Sequence, residues 1–201
     1  MINMGYSYTK VEDKDLVKRI LKSPSVYREF ITRYQRIVSV MIARLISNVE
    51  DRKDISQEVF MKAFQHLDSF RFQSKLSTWI ASITYNTCLS FLEKKKHLLY
   101  EDFLGEGDEM NTRSFDPADN DLIPHDEWLS SRQLEQSLHK AIEQLPPLYK
   151  TIIALYHSEE VSYEEISEIT RLPIGTVKSY LFRARKKLKE SLLQQYNTEE
   201  I

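Results

Sequence analysis

The sequence predicts an all-α protein made of two small helical domains joined by a flexible acidic linker. Three observations carry this reading. Glycine is scarce, four in 201 residues, and three of the four fall at positions 5, 105 and 107. Strand-like alternation bounded by turn pairs is absent, whereas apolar residues recur at helical spacing over long stretches. Charge is also segregated. Tyr100 to Trp128 hold ten acids and one base, Arg113; without that stretch the chain has 27 bases against 20 acids, although the whole carries a formal charge of -2. Two basic modules therefore flank an acidic connector.

In the first module Pro24 separates a short helix near Asp13–Leu21 from a longer one near Val26–Ile46. The longer helix carries the stripe Phe30, Tyr34, Ile37, Val38, Met41 and Leu45. A third helix is predicted from about Arg52 to Leu67, with Ile55, Val59, Ala63 and Leu67 on one face. A fourth spans roughly Leu76 to Leu98, with Ile80, Ile83, Thr87 and Phe91 together. The connector holds Gly105, Gly107, Pro117 and Pro124 and no apolar period, so it reads as extended and mobile; a plain solvated tether fits it as well as any functional role. In the second module helices are predicted at 131–144, 147–157, 162–170 and 175–193. Pro146 and Pro147 stand at a helix start, where a missing N–H does no harm.

The segment from Val161 to Leu188 carries the clearest motif. Ser162 and Glu165 have the spacing of a capping box, and Val161 and Ile166 occupy the two staple positions around it. Arg171, Leu172 and Pro173 form a turn, and Gly175 and Thr176 open a second helix. Two helices of this size joined by a short turn make a helix-turn-helix. In the second helix Val177, Leu181, Ala184 and Leu188 should pack inward, which leaves Lys178, Ser179, Phe182 and Arg183 outward. Lys178 and Arg183 can donate to guanine in the major groove, and Phe182 can contact a thymine methyl. The amides at Gly175 and Thr176 can bind a phosphate. Arg185, Lys186, Lys187 and Lys189 suit phosphate attraction; for Lys186, Lys187 and Lys189 alone, a solvated helix end favoured by the dipole fits equally well.

Composition narrows the classes. The chain is 41% hydrophobic and 29% charged, ordinary for a soluble protein. No apolar run approaches the roughly 20 residues needed to span a bilayer, and Met1 to Lys10 lack the blocks of a signal peptide, so a cytoplasmic location is expected. Cys88 is the single cysteine, excluding an intrachain disulfide or a CxxC metal site. His66, His97, His125, His139 and His157 form no metal-ligand spacing, and neither a phosphate loop nor a nucleophile motif appears. No enzymatic activity, cofactor or metal is expected.

Two segments resemble the extracytoplasmic-function sigma factors of the bacterial sigma-70 family. Asp54 to Phe60 (Asp-Ile-Ser-Gln-Glu-Val-Phe), followed by Phe70 to Lys96, is similar to their region 2. Leu145-Pro146-Pro147 and Ser162–Leu188, including Pro173 to Ser179, look like region 4. Order, spacing and connector all fit, over almost the whole chain. The resemblance implies a region 2 helical bundle over 1–98, a linker over 99–128 and a region 4 helix-turn-helix over 129–201. It also implies the function: a factor that binds core RNA polymerase, recognises minus-35 and minus-10 promoter elements, and promotes melting for transcription initiation.

The resemblance assigns residues as well. Asp54, Gln57 and Glu58 would dock on the clamp helices of the polymerase's largest catalytic subunit, where a polar patch sets register and encounter rate. Arg71, Phe72, Ser74, Lys75, Trp79, Tyr85, Asn86, Lys94 and Lys95 would serve minus-10 readout and melting. Rings at Phe70, Phe72, Trp79 and Tyr85 can hold an unstacked base; Phe70 reads better as core, whereas Phe72 and Trp79 suit either role. Gly175, Thr176, Lys178, Ser179, Phe182, Arg183 and Lys186 would read the minus-35 element. Implied partners are core polymerase, promoter DNA both duplex and single-stranded, and, as the family admits, an anti-sigma factor. The match departs from the family pattern where Phe-Arg-Gly and an acid before the serine are usual: this chain has Phe70-Arg71-Phe72-Gln73-Ser74, and an acid common near Ser90 is missing. The rival readings are a stand-alone helix-turn-helix transcriptional regulator, which leaves Asp54–Glu58 and Phe70–Asn86 unexplained, and a DNA-cleaving enzyme, which no motif supports.

Overall fold

A computed structural model describes residues 10–100 and 131–199, with side chains over 11–95 and 135–194. The expected mobile linker lies outside the described residues. Among those described there are eight α-helices and no strand, so the all-α reading holds.

The helices of the first module are α1 (Lys10–Lys22), α2 (Tyr27–Leu45), α3 (Val49–His66) and α4 (Leu76–Tyr100). Pro24 opens a single 3-10 turn, Pro24–Val26, which leads into α2. The predicted stripe of α2 is buried in full. α3 starts three residues earlier than the periodicity suggested. The reason is a cap: Asn48 accepts from the amides of Glu50 (2.8 Å) and Asp51 (3.2 Å). Tyr27 and Phe30 stack at 5.1 Å, and Phe64 and Phe60 meet them edge-on, fastening α3 to α2.

α4 is the central helix. It packs against α2 and α3 on one side and against a helix of the second module on the other. Its start is fixed from a distance. Asp13 on α1, only 2% exposed, accepts from the Leu76 amide (3.0 Å) and from the Tyr34 hydroxyl (2.8 Å). A carboxylate thus caps α4 across 63 residues of sequence, where the helix dipole favours it.

The second module contains α5 (Ser131–Glu143), α6 (Pro147–Ile153), α7 (Tyr163–Thr170) and α8 (Ile174–Glu199). α6 runs on into one wide π turn, Ala154–Ser158. α7 begins with the predicted capping box, both of its bonds present. Its staple residues Val161 and Ile166 are buried. Arg171 takes a left-handed conformation (φ 59°) and stops α7 before Pro173. The two modules do not stand apart. α7 lies along α4, α2 lies against α6 and the π turn, and the buried apolar side chains of both modules form one cluster.

Candidate nucleic-acid interface

The helix-turn-helix is held rigidly. Val177, Leu181 and Ala184 are fully buried, and Leu188 is half-buried against them. Gly175, Lys178 and Lys186 are exposed, while Thr176, Ser179, Phe182 and Arg183 are half-exposed along the same outward side of α8. All seven residues assigned to minus-35 reading therefore reach solvent. Space is open where a Cβ at Gly175 would stand, so a phosphate could approach the first turn closely. Lys178 sits 5.6 Å over the Tyr163 ring, which in turn stacks on Tyr156 at 4.8 Å. Arg185 behaves differently from its basic neighbours. It folds back over the Tyr156 ring and donates to Nε2 of His157 (3.3 Å), locking α8 to the π turn. Burial first, and then the Arg185 charge, hold His157 below its ordinary pKa.

The segment between α3 and α4 forms an aromatic corner. Phe70 is buried, and its ring lies 4.7 Å from Phe72 and 5.1 Å from Trp79. Both neighbours are half-exposed, and Lys14 stands over Phe72 at 5.7 Å. Phe72 has φ 58°. This is the left-handed region, where a bulky side chain is an outlier and glycine is comfortable. The departure from the family's glycine therefore falls on the one residue of this corner that needs glycine's conformation. Arg71 and Lys75 are exposed, and Ser74 and Asn86 half-exposed. Lys94 is exposed; Lys95 pairs with Asp51 (3.0 Å) and lies over Phe91.

Tyr85 does not offer its ring to a base in this form. It is 7% exposed, on the stripe Thr78, Ala81, Tyr85 and Cys88 that α4 buries. Burial, and after it the nearby Tyr180 hydroxyl, hold its phenol above the ordinary value. Lys75 is also engaged, pairing with Glu165 of α7 at 3.0 Å.

On α3, Asp54 and Gln57 are exposed, and Glu58 pairs with Lys62 (2.7 Å). Beside them lies an open groove of about 550 Å³ between α2 and α3, whose lining includes Tyr27, Ile31, Gln57, Met61 and Phe64. Met61 is 56% and Phe64 45% exposed. These two apolar residues were not singled out from the sequence. The signal was there: Asp54, Gln57, Met61 and Phe64 recur at helical spacing on the polar side of α3. A polar patch next to exposed apolar side chains has the makeup of a protein-docking face. Among the described residues no group of His, Cys, Asp and Glu could hold a metal ion, and no helix is long and apolar enough to cross a membrane.

Known proteins carry the same plan. Residues 30–98 match the family described as sigma-70 region 2, and residues 135–188 match sigma-70 region 4. The chain is 31% identical over 180 residues to the ECF RNA polymerase sigma factor SigW of Bacillus subtilis (strain 168), covering 89% of this chain and 96% of SigW. It is 35% identical over 185 residues to the ECF RNA polymerase sigma-E factor of Haemophilus influenzae, covering 91% and 96%. Two solved structures share the fold. The sigma factor RpoE, in complex with the anti-sigma factor NepR from Bartonella quintana, superposes with a TM-score of 0.61 at 24% identity, over 83% of this chain and 96% of that one. CnrH, in complex with the cytosolic domain of CnrY, gives 0.59 at 17% identity, over 90% and 96%.

Proposed function

We propose that this chain, which belongs to the sigma-70 family as an extracytoplasmic-function RNA polymerase sigma factor, carries out promoter recognition and melting with the residues described above. The observation that carries the reading is the pairing of two surfaces in one chain. One is an outward basic stripe on a firmly seated α8; the other is a polar and apolar face on α3. A stand-alone regulator has use for the first only.

In this account α8 enters the major groove of the minus-35 element, with Arg183 and Lys178 on base edges and Lys186 on phosphate. The corner at Phe70–Trp79 receives a base extruded from the minus-10 element. Phe72 and Trp79 supply the ring faces, Arg71 and Ser74 reach its edge or its phosphate, and Asn86 stands two turns along α4. Stacking of this kind is worth roughly 1–3 kcal/mol per base, enough to offset the few kcal/mol that unstacking costs. Lys94 and Lys95, farther along α4, follow the backbone. The α3 face docks on the polymerase clamp helices through Asp54, Gln57 and Glu58, with Met61 and Phe64 adding apolar contact. No step of this is chemical catalysis by the chain. Residues 1–98 and 129–201 serve as the two functional domains, in the cytoplasm where the polymerase acts. An anti-sigma partner, such as the relative crystallised with NepR has, would act by covering these faces.

Gel filtration of the purified protein with bacterial core RNA polymerase tests the reading. Stable co-elution is expected, and separate elution would favour the stand-alone regulator.

A further inference from the structure

We propose that the outer side of α1 is a phosphate track for the melted strand, continuing the path that begins at the aromatic corner; the inference rests on the promoter-melting role given above. None of the residues assigned to DNA contact lies on α1. Yet Lys14, Lys18 and Lys22 recur at i, i+4 and i+8, which places them on one side of the helix, about 6 Å apart along its axis. All three are exposed, on the side away from the buried Leu16, Val17 and Ile20. No acid stands between them on that side. Arg19, farther round the helix, is different: Asp15 (2.8 Å) and Glu29 (2.7 Å) take up its charge. Among the described residues no carboxylate pairs with the three lysines, and a row of such cations suits a polyanion.

Independent contacts fix this row beside the corner. Asp13 accepts from the Leu76 amide that opens α4 (3.0 Å), and the next residue, Lys14, stands 5.7 Å over the Phe72 ring. α1 also lies against the 3-10 turn Leu67–Ser69 that leads into the corner. The lysine row therefore starts at the ring proposed to hold an extruded base and runs outward from it. The groove on α2 and α3 draws no residue from α1, so the track and the polymerase-docking face can be engaged together.

Lys14 has the central part. Phe72 has Phe70 as a ring neighbour at 4.7 Å and the Lys14 ammonium over its face. A base that stacks on that face must move the ammonium aside. The displaced cation then stands next to the phosphates that flank the captured base, and it exchanges an aromatic face for an anion. Lys18 and Lys22 carry the neighbouring phosphates farther along α1. Rings for the bases combined with a positive row for the backbone is the arrangement that holds single strands without reading their sequence. A duplex, whose bases are covered, gains nothing from the rings and is held by α8 instead.

The test uses the full-length chain and a labelled mixed-sequence 20-nucleotide single strand, followed by fluorescence anisotropy over a range of salt. Lys14→Gln/Lys18→Gln/Lys22→Gln changes only exposed positions and keeps good helix formers, so helical circular dichroism should not change. Each phosphate contact contributes about 0.7 to the slope of log affinity against log salt for a single strand, so the slope should fall by about 2. At 0.1 M salt the strand should bind at least about tenfold more weakly, whereas a mixed-sequence 20-base-pair duplex should change by less than about twofold. Cys88 is buried, so an aryl azide can be placed selectively on Lys18→Cys, and light should crosslink it to the strand. A slope change below about 0.7, an equal loss on the duplex, no crosslink, or no binding of the strand by the parent would each overturn the track. Failure of the sigma-factor reading shows separately, as absence of core-polymerase binding by the parent, which the strand measurements do not require.

Discussion

Replacing Asp13 tests whether α1 sets the position of the melting helix. Its carboxylate is buried and accepts from the Leu76 amide and the Tyr34 hydroxyl. Asp13→Ala removes both bonds. Orphaning a buried backbone amide costs about 1–3 kcal/mol, and losing a further buried hydrogen bond costs about 0.5–1.5. Removing a negative charge from a helix N-terminus adds about 0.3–1. A loss of about 3 kcal/mol is therefore expected, within a range of about 2–5. Asp13→Asn keeps an oxygen for the amide, and its NH2 can donate to the Tyr34 hydroxyl, so only the charge is lost, about 1 kcal/mol. The assay is urea unfolding followed by Trp79 fluorescence in a Trp128→Phe background. Trp79 is suited to this because its ring lies 5.1 Å from that of Phe70, within a turn of the capped end. If Asp13→Ala fell within about 0.5 kcal/mol of the parent, or if Asn cost as much as Ala, the capping argument would be refuted.

Four other outcomes follow from the same structure. Arg183→Ala should weaken binding by roughly 1–3 kcal/mol at one base pair of the minus-35 element and relax specificity there; an equal loss on all duplexes in a competition titration would mean a phosphate contact instead. Met61→Glu combined with Phe64→Glu should reduce affinity for core polymerase at least about tenfold, measured by fluorescence anisotropy, with duplex binding unchanged. Burial, and then the Glu58 charge, push the Cys88 thiol up to about 12, so a disulfide reagent at pH 8 should leave it unmodified in the native protein and titrate it at once in guanidinium. Acid should weaken the junction between modules. Burial would raise Glu165, but the bonds from Lys75 and Ser162 outweigh it, and Lys150 likewise lowers Glu143. Groups with lowered values stabilise fully above the ordinary carboxylate pKa and lose that contribution as pH falls through the lowered one. His157, held below its ordinary value, adds a loss as pH falls through the imidazole range, so thermal melts should show a shallow decline below about pH 6.5 and a further one below about 4.5.

Local signals in the sequence were easy to read, and long-range ones were not. The stripe Val177, Leu181 and Ala184 and the Ser162–Glu165 box are each contained within a few residues, where helical periodicity and capping chemistry leave little choice. The helix bounds accordingly agree to within about three residues, apart from the end of α8, predicted at 193 and found at Glu199, and the π turn at Ala154–Ser158, which no residue type announces. Asp13 was partly legible: it lies on the stripe of Leu16, Val17 and Ile20, and an acid on a buried stripe must find donors. That the donors are at Tyr34 and Leu76 is a tertiary fact. Tyr85 was read as a stacking ring because aromatic residues cluster there; its register with Ala81 and Cys88 put it inward instead. The ties of Arg36 and Arg44 to Glu159 and Glu143 span about a hundred positions or more, beyond any local pattern. Phe72 shows the reverse case. The sequence marked it as a departure, and the left-handed backbone gives that departure its physical meaning.

The measurement that bears most directly on the central claim is run-off transcription with core RNA polymerase on a library of promoter fragments. Discrete transcripts that require this protein, and that disappear with Met61→Glu/Phe64→Glu, are predicted. Absence of dependent transcripts from a preparation that retains its helical content and binds duplex DNA would contradict the account and leave a stand-alone DNA-binding regulator.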